Sequence, residues 1–222
     1  MSSRPRFIVS QSGFTLVEIA IVLVIIGLLL GGVMKGQELI TNAKVKNAVN
    51  SLNSISAAYN SYTDRYHRMA GDDGPLLTLT GRGGTWATVT QFGNNNGVLN
   101  ITAAQAFNGG GENDNFWQHL KAAGFITGNP ADANVQALPR NAFDGLTGVT
   151  AVGVTGMTGT VVICLSKVPG KAAANIDTQL DDGLPGVGAV MATTGVAGAN
   201  TIPAAAAASY DETAIYTLCR TL

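Results

Sequence analysis

The chain is poor in charged residues and has no basic excess. Asp, Glu, Lys and Arg make up only 12% of its 222 residues, against about 25% in an average globular domain. The formal net charge of −1 excludes the strongly basic surface with which many proteins bind nucleic acid. A long polar stretch, residues 76–111, offers only Arg82 with Trp86 as a basic and aromatic pair. We therefore expect no nucleic-acid partner.

Residue types that build metal and catalytic sites are also scarce. The two histidines, His67 and His119, have no Cys or Glu at metal-ligand spacing. The pair Gly186-x-Gly188 lacks the third glycine of a dinucleotide loop, and no phosphate-binding loop or nucleophile elbow occurs. We expect no catalytic residue and no enzymatic activity.

Cysteine occurs only twice, as Cys164 and Cys219. An even pair without a C-x-x-C motif or a histidine partner is typical of one disulfide in an oxidising compartment. Two buried free thiols are the alternative. A disulfide would place the C-terminal part of the chain outside the cytoplasm.

Although charged residues are few throughout the chain, one stretch is almost wholly apolar. Residues 14–34 contain a single charge, Glu18, and as a helix they would extend about 31 Å, the thickness of the hydrocarbon core of a bilayer. A carboxylate in a spanning segment costs roughly 2.5 to 3.5 kcal/mol. Glu18 therefore requires a partner or a function.

The residues around the start of this segment carry a family resemblance. A short polar leader ends in the order Gly13, Phe14, Thr15, Leu16, Val17 and Glu18. This order resembles the class III signal of type IV pilins and of the pseudopilins of type II secretion. The resemblance implies a leader of residues 1–13, cleavage between Gly13 and Phe14 by a prepilin peptidase, N-methylation of Phe14, and pairing of Glu18 with the N-terminal amine of a neighbouring subunit. An ordinary signal anchor with a chance Glu18 is the alternative; a secretory signal peptide would have a shorter apolar region.

Beyond the apolar segment the helical pattern continues. Apolar residues recur every three or four positions, as on one face of a helix: Val45, Val49, Leu52, Ile55, Tyr59, Tyr62 and Tyr66. We predict one helix from Phe14 to about Tyr66. Residues 14–34 would form its transmembrane, assembly-competent part, residues 35–70 its periplasmic half, and residues 71–222 a globular pilin-like head. Coiled-coil pairing is a competing explanation of the stripe.

The chain departs from the family at one position. Many type IVa pilins have a helix-breaking proline at the 22nd mature residue, where this chain has Lys35. Glycines 27, 31, 32 and 36 lie nearby, and each lowers helix stability by up to about 1 kcal/mol relative to alanine. The missing proline favours a pseudopilin or minor pilin over an abundant type IVa subunit.

The head pattern predicts an α+β fold, in which the long N-terminal helix packs on a small antiparallel sheet. We expect a long loop over residues 76–111 with a short strand near 86–89, an amphipathic helix over 112–123 capped by Asn113 or Asn115, and a helix over 171–180. Strands are predicted over 148–154, 160–168, 187–193 and 213–218. The segments GDD, W-x-H-L-x-x-A-G-F-I and I-D-x-x-L-D-D-G extend the resemblance weakly into the head.

One acidic cluster is compatible with two roles. Asp177, Asp181 and Asp182 could cap a helix and form a D-D-G turn. They could also bind Ca²⁺, which supports the head of some members of the family, although the positions do not follow an EF-hand pattern. We expect no cofactor, with Ca²⁺ as the open alternative.

These patterns lead to a functional expectation. The chain resembles a structural subunit of a type IV pilus-like filament or a type II secretion pseudopilus. A minor or tip pilin that binds a surface, DNA or a secreted substrate is the alternative. The resemblance implies four kinds of partner: a prepilin peptidase, other pilin or pseudopilin subunits, an inner-membrane assembly platform, and membrane lipid. The subunit would cross the inner membrane once with a periplasmic head, and would then enter a periplasmic pseudopilus or an extracellular pilus.

Overall fold

The computed structural model describes residues 13–157 and 161–222. Within them, the long helix α1 is followed by three shorter helices and four strands. The bounds are α1 Leu16–Tyr66, α2 Leu76–Thr80, α3 Glu112–Ala122, β1 Thr147–Thr150, β2 Val162–Pro169, α4 Gly170–Leu180, β3 Val190–Gly195 and β4 Ile215–Thr221. The predicted α+β fold, with a long N-terminal helix and a small antiparallel sheet, is confirmed.

The chain divides into two compact units, and the boundary falls between Thr41 and Asn42, inside α1. In the first unit, α1 contains a window long and apolar enough to cross a membrane, and none of that window is buried. Helix α1 ends at Tyr66, four residues before the predicted end of the periplasmic segment at residue 70. It also continues without a break through Lys35, which pairs with Glu38 at 2.8 Å.

In the second unit, α1 buries one stripe of side chains in the core of the head. The fully buried members follow the helical repeat: Val45, Ala48, Leu52, Ile55, Ala58 and Tyr62. Val49, Tyr59 and Tyr66, which the pattern placed on the same face, are only partly buried and pack at its margin. Because the head itself covers the stripe, coiled-coil pairing is not needed to explain it.

The head is built on a four-stranded antiparallel sheet with the strand order β1-β2-β4-β3. The central pair β2 and β4 places Cys164 directly opposite Cys219. A bulge between Leu165 and Val168 shifts the register, and Lys167 there adopts a φ of 59°. Each predicted strand exists with altered bounds; Thr160, the predicted start of β2, lies outside the described residues.

Both outer strands of the sheet have partners on their outer sides. On β1, Thr147 donates to the Pro139 carbonyl at 2.7 Å, and the Val149 carbonyl accepts from the Asn113 amide at 3.0 Å. On β3, Ala192 donates to Pro185 and accepts from Ala207, both at 2.8 Å. The sheet therefore presents little unpaired backbone to another strand.

Two predictions for the head are wrong. No strand lies near residues 86–89; instead residues 76–111 contain α2 and the 3₁₀ turns Gly84–Thr88 and Ala103–Gln105. The helix predicted over 112–123 exists as α3, but its polar side does not face solvent, because every residue from Asn113 to Ala122 is buried. Its N-cap is Gly111 without a side-chain cap, because the predicted caps point elsewhere: the Asn113 amide donates to the carbonyls of Gln105, Ala106 and Val149, and the Asn115 amide donates to Gly71.

Candidate functional site

The predicted processing site precedes the helix. Gly13, Phe14 and Thr15 are not helical, and the Phe14 side chain is 83% exposed. A Cβ atom placed on Gly13 would meet no atom within 4 Å. The described residues thus impose no steric demand for glycine at residue 13. Residues 1–12 of the predicted leader lie outside the described residues.

Thr15 and Glu18 form a reciprocal cap on the first turn of α1. One Glu18 oxygen, Oε2, accepts hydrogen bonds from the Thr15 backbone N–H and from its hydroxyl, both at 2.8 Å. The Thr15 hydroxyl in turn accepts from the Glu18 backbone N–H at 3.2 Å. This is the capping box, which satisfies two N–H groups that a helix N-terminus otherwise leaves unpaired.

The capping box gives Glu18 a local partner that sequence analysis missed. The signal was present, since Thr15-x-x-Glu18 before an apolar run is the sequence pattern of this motif. The negative charge also lies where the helix dipole favours it. Among the described residues, the second oxygen of Glu18, Oε1, has no hydrogen-bond partner, so one acceptor remains for a group outside the subunit.

From this cap onward, α1 carries apolar side chains that are exposed among the described residues. The exposed large side chains run from the predicted N-terminus to residue 40: Phe14, Leu16, Val17, Ile19, Ile21, Val22, Leu23, Val24, Ile25, Ile26, Leu28, Leu29, Leu30, Val33, Met34, Leu39 and Ile40. Glycines 27, 31, 32 and 36 have open space around them. They form two consecutive G-x-x-x-G spacings, 27–31 and 32–36, at which neighbouring helices can approach closely in lipid.

The two cysteines are bonded. Cys164 and Cys219 form a disulfide with an S–S distance of 2.07 Å, and both are fully buried between β2 and β4. The alternative of two free thiols does not describe this structure. The bond links the two central strands of the sheet.

The Asp177, Asp181 and Asp182 cluster brings three carboxylates together within 4.8 Å. Backbone and hydroxyl donors already use these groups. Asp177 accepts from Gly183 N–H at 3.2 Å and from the Tyr210 hydroxyl at 2.7 Å, Asp181 accepts from Val190 N–H at 2.9 Å, and Asp182 accepts from Leu184 N–H at 2.8 Å. Burial raises the pKa of Asp177, and the two neighbouring carboxylates raise it further.

These contacts fit the turn role better than a cation site. Asp177 and Asp182 hold the backbone of the turn after α4, and Asp181 holds the first residue of β3. A Ca²⁺ ion takes six to eight oxygen ligands. The three residues present would have to exchange hydrogen bonds that the turn uses.

The two histidines are not brought together. His67 is exposed with a φ of 52°, whereas His119 is buried in α3 beside Tyr62 and Trp86. The Gly71 N–H donates to His119 Nδ1 at 3.1 Å, which places the ring proton on Nε2. Burial lowers the pKa of His119 to about 4; Asp73 opposes this shift and Arg82 adds to it.

The GDD segment of the resemblance anchors the loop that follows α1. Asp73 accepts from the Tyr62 hydroxyl at 2.6 Å and pairs with Arg82 at 2.8 Å. The Arg82 guanidinium lies 4.2 Å from the Tyr66 ring centroid and 4.5 Å from that of Trp86. Asp72 accepts from Gly97 N–H at 2.7 Å. These contacts give the residues a structural role in the loop after α1.

Comparison with known proteins bears on the N-terminus. Residues 9–34 match the family model of the prokaryotic N-terminal methylation motif; a search of curated proteins found no match to the chain. The matched segment contains Gly13, Phe14 and Glu18 and most of the exposed apolar surface. It supports a type IV pilin-like or pseudopilin-like subunit, which belongs to a structural class of proteins, with a membrane anchor and a soluble head. The chain carries the prepilin-type signal of type IV pilins and pseudopilins.

Proposed function

We propose that the chain is a structural subunit that polymerises through α1 after cleavage between Gly13 and Phe14. The observation that carries this proposal is the uncovered apolar surface of α1, which begins at the Thr15–Glu18 cap and ends at the head. In the membrane, lipid covers this surface. In a filament, the same helices of neighbouring subunits replace lipid.

Cleavage would create an amine at Phe14, next to the Glu18 carboxylate of the same or another subunit. A buried carboxylate and amine compensate each other only when the geometry is good. The unused Oε1 of Glu18 can accept from the Phe14 amine of a neighbour while Oε2 keeps its contacts with Thr15. This pairing selects the axial register between subunits, since one charge must meet the other.

We further propose that the filament is a secretion pseudopilus or that the chain is a minor pilin. The support is the unbroken α1 at Lys35, where a proline would interrupt the helix in many type IVa pilins. The inner-membrane platform and the prepilin peptidase are the partners that the signal implies. The Asp177, Asp181 and Asp182 cluster serves as a turn scaffold in this proposal, without a bound cation.

Mass spectrometry of the cell envelope and of sheared extracellular material tests the proposal. We expect the chain to begin at N-methylated Phe14. Gly13→Leu should leave the leader attached, because a bulky residue does not fit a peptidase that requires glycine, although the fold has room for it. Cleavage of Gly13→Leu at the wild-type rate would contradict the processing step.

Glu18→Val separates insertion from assembly. Removing a carboxylate from an apolar helix favours insertion by roughly 2.5 to 3.5 kcal/mol, so the variant should reach the membrane at normal levels. Filament yield should fall at least tenfold. The control is Glu38→Gln, which changes a carboxylate of α1 beyond the apolar segment. Normal filaments from Glu18→Val would show that the charge pairing is not used.

A further inference from the structure

A cleft of about 380 Å³ lies on the head between α1, α3 and the segment that leads into β1. All of its lining belongs to the compact unit that starts at Asn42. Its volume falls within the usual range of small-ligand sites, about 300 to 1,000 Å³. Neither the methylation motif nor the polymerising helix surface assigns it a role.

One wall of the cleft is a polar stripe on α1. Asn47, Asn50, Ser51 and Ser54 share this stripe, and all are at least partly exposed. The stripe lies beside the buried stripe of the same helix, so the side chains are held on a rigid element. Amide and hydroxyl groups supply hydrogen-bond donors without charge.

The opposite wall is fixed by backbone hydrogen bonds. Pro139 and Thr147 both line the cleft, and the Thr147 N–H donates to the Pro139 carbonyl at 2.7 Å. Arg140, between them in the chain, forms a β-bridge with Leu146. Asn141 closes the turn by donating to the carbonyl of Ser166 at 2.8 Å. Arg140 is therefore presented from a well-anchored backbone.

The charge in the lining of the cleft is positive. Arg140 is the only charged residue in its lining. Its side chain is exposed, and it forms no ion pair within residues 13–157 and 161–222. Lining donors around one unpaired guanidinium suit an anion, and guanidinium geometry matches a carboxylate in particular.

Trp117 forms a buried part of the cleft wall. This residue lines the cleft, its side chain is 0% exposed, and its indole Nε1–H has no acceptor among the described residues. A buried donor without a partner costs about 1 to 3 kcal/mol. Because no part of Trp117 is exposed, it offers neither a stacking face nor a donor to a ligand, and its indole N–H serves as a spectroscopic reporter within the cleft wall.

We propose that this cleft binds a carboxylate group, with Arg140 as its charge partner and the exposed amide and hydroxyl groups of Asn47, Asn50 and Ser54 as further donors. The carboxylate can come from a small organic acid in solution or from an acidic side chain of a second copy of this chain. The binding chemistry is the same for both sources. The proposal does not depend on polymerisation, because every residue it uses lies in one head.

The test uses the full-length protein in detergent micelles with ¹⁵N-labelled tryptophan. The chain has two tryptophans, so Trp86→Phe assigns the remaining indole signal to Trp117. Sodium succinate should shift the Trp117 signal saturably, whereas sodium chloride at equal ionic strength and neutral succinamide should not. Arg140→Gln should weaken succinate binding at least tenfold, and Arg140→Lys by less. Arg65→Gln, which removes an exposed arginine outside the cleft, is the control and should bind as the wild type.

A second arm identifies the source of the carboxylate. Radiolabelled succinate should bind the micellar protein in either case. If filaments bind it equally, the site takes a free acid; if filaments have lost the site, a neighbouring subunit fills it. No saturable binding to the micellar protein, or equal binding by wild type and Arg140→Gln, would overturn the proposal. Failure of filament formation would affect only this second arm and would instead contradict the proposed function.

Discussion

His119 is a buried base whose protonation opposes folding. Its pKa is lowered to about 4 by burial, whereas an unfolded histidine titrates near 6.5. Above about pH 6.5 neither state is protonated and nothing is lost. As the pH falls from 6.5 to 4, the unfolded chain takes up a proton that the folded chain does not, so the free energy of unfolding falls. Asp73 and Arg82, the charged groups that act on this ring, pull its pKa in opposite directions.

We expect His119 to account for about 2 kcal/mol of the stability lost between pH 7 and pH 4.5. Urea denaturation of wild type and His119→Gln at both pH values measures this difference directly, and the variant should show the smaller loss. His67→Asn is the control, because His67 is exposed and asparagine tolerates its positive φ. Identical pH dependence in His119→Gln and wild type would mean that the buried ring is protonated in the folded state.

The buried charge of Asp73 depends on one neighbour, Arg82, for its compensation. Its side chain is 1% exposed and that of its partner Arg82 is 19% exposed. Replacing one member of a buried pair leaves the other charge without compensation. Arg82→Met should therefore lower the free energy of unfolding by about 3 kcal/mol, measured by urea denaturation. Arg65→Met removes an exposed arginine that also lies over the Tyr66 ring and should cost less than about 1 kcal/mol. Equal losses in the two variants would show that the ion pair is not the cause.

Among the elements, α1 has an exposed apolar first part and a second part that is packed on the head, and both could be predicted from the sequence. Its apolar start and its periodic second half are local patterns, so both the helix and its buried stripe could be predicted from sequence. The Thr15–Glu18 cap was also local, although it was overlooked. The strands could be located because each is a short apolar run between turn residues.

Helix α3 shows why the rest could not be predicted. Its polar side chains suggested a solvent-facing side, but Asn113, Asn115 and Gln118 are buried and donate to backbone carbonyls of other segments, including strand β1. Hydrogen bonds to these carbonyls exist only in the tertiary fold, so they leave no periodic pattern in the sequence. Gly148 is similar: a Cβ there would collide with the Ala106 carbonyl, and only the packed structure reveals this. The cleft around Arg140 also depends on three segments that are distant in sequence.

The buried stripe of α1 gives a prediction for this helix. Leu52 is 0% exposed, so Leu52→Ala should cost about 3 kcal/mol in the free energy of unfolding through lost contacts and a residual cavity. Asn60→Ala on the exposed side of the same helix should change it by no more than about 0.5 kcal/mol. Urea denaturation followed by tryptophan fluorescence compares the two. A small effect at Leu52 would mean that α1 is not docked on the head in solution.

At the scale of the whole molecule, the Cys164–Cys219 bond closes a loop of the head, because the two residues are 55 positions apart in sequence. In the chain-entropy description, a loop of this size contributes about 4 kcal/mol by restricting the unfolded chain. Reduction with dithiothreitol should therefore lower the urea midpoint of the wild type. The double variant Cys164→Ala/Cys219→Ala should start near the reduced midpoint and should not respond to the reductant. A wild-type midpoint that is unchanged on reduction would show that β2–β4 pairing alone supplies the stability of this loop.

The covered outer sides of β1 and β3 have a consequence for how such a subunit could leave a polymer. Fibres that share strands between subunits are held by backbone hydrogen bonds that break only when a subunit partly unfolds. Here loop residues and Asn113 of α3 occupy those positions within the head, so a subunit leaving the proposed filament would keep its sheet intact. Depolymerisation of the proposed filament would then require only that lipid or detergent replace helix contacts along α1. Subunits released in this way could return to the membrane with a folded head and assemble again.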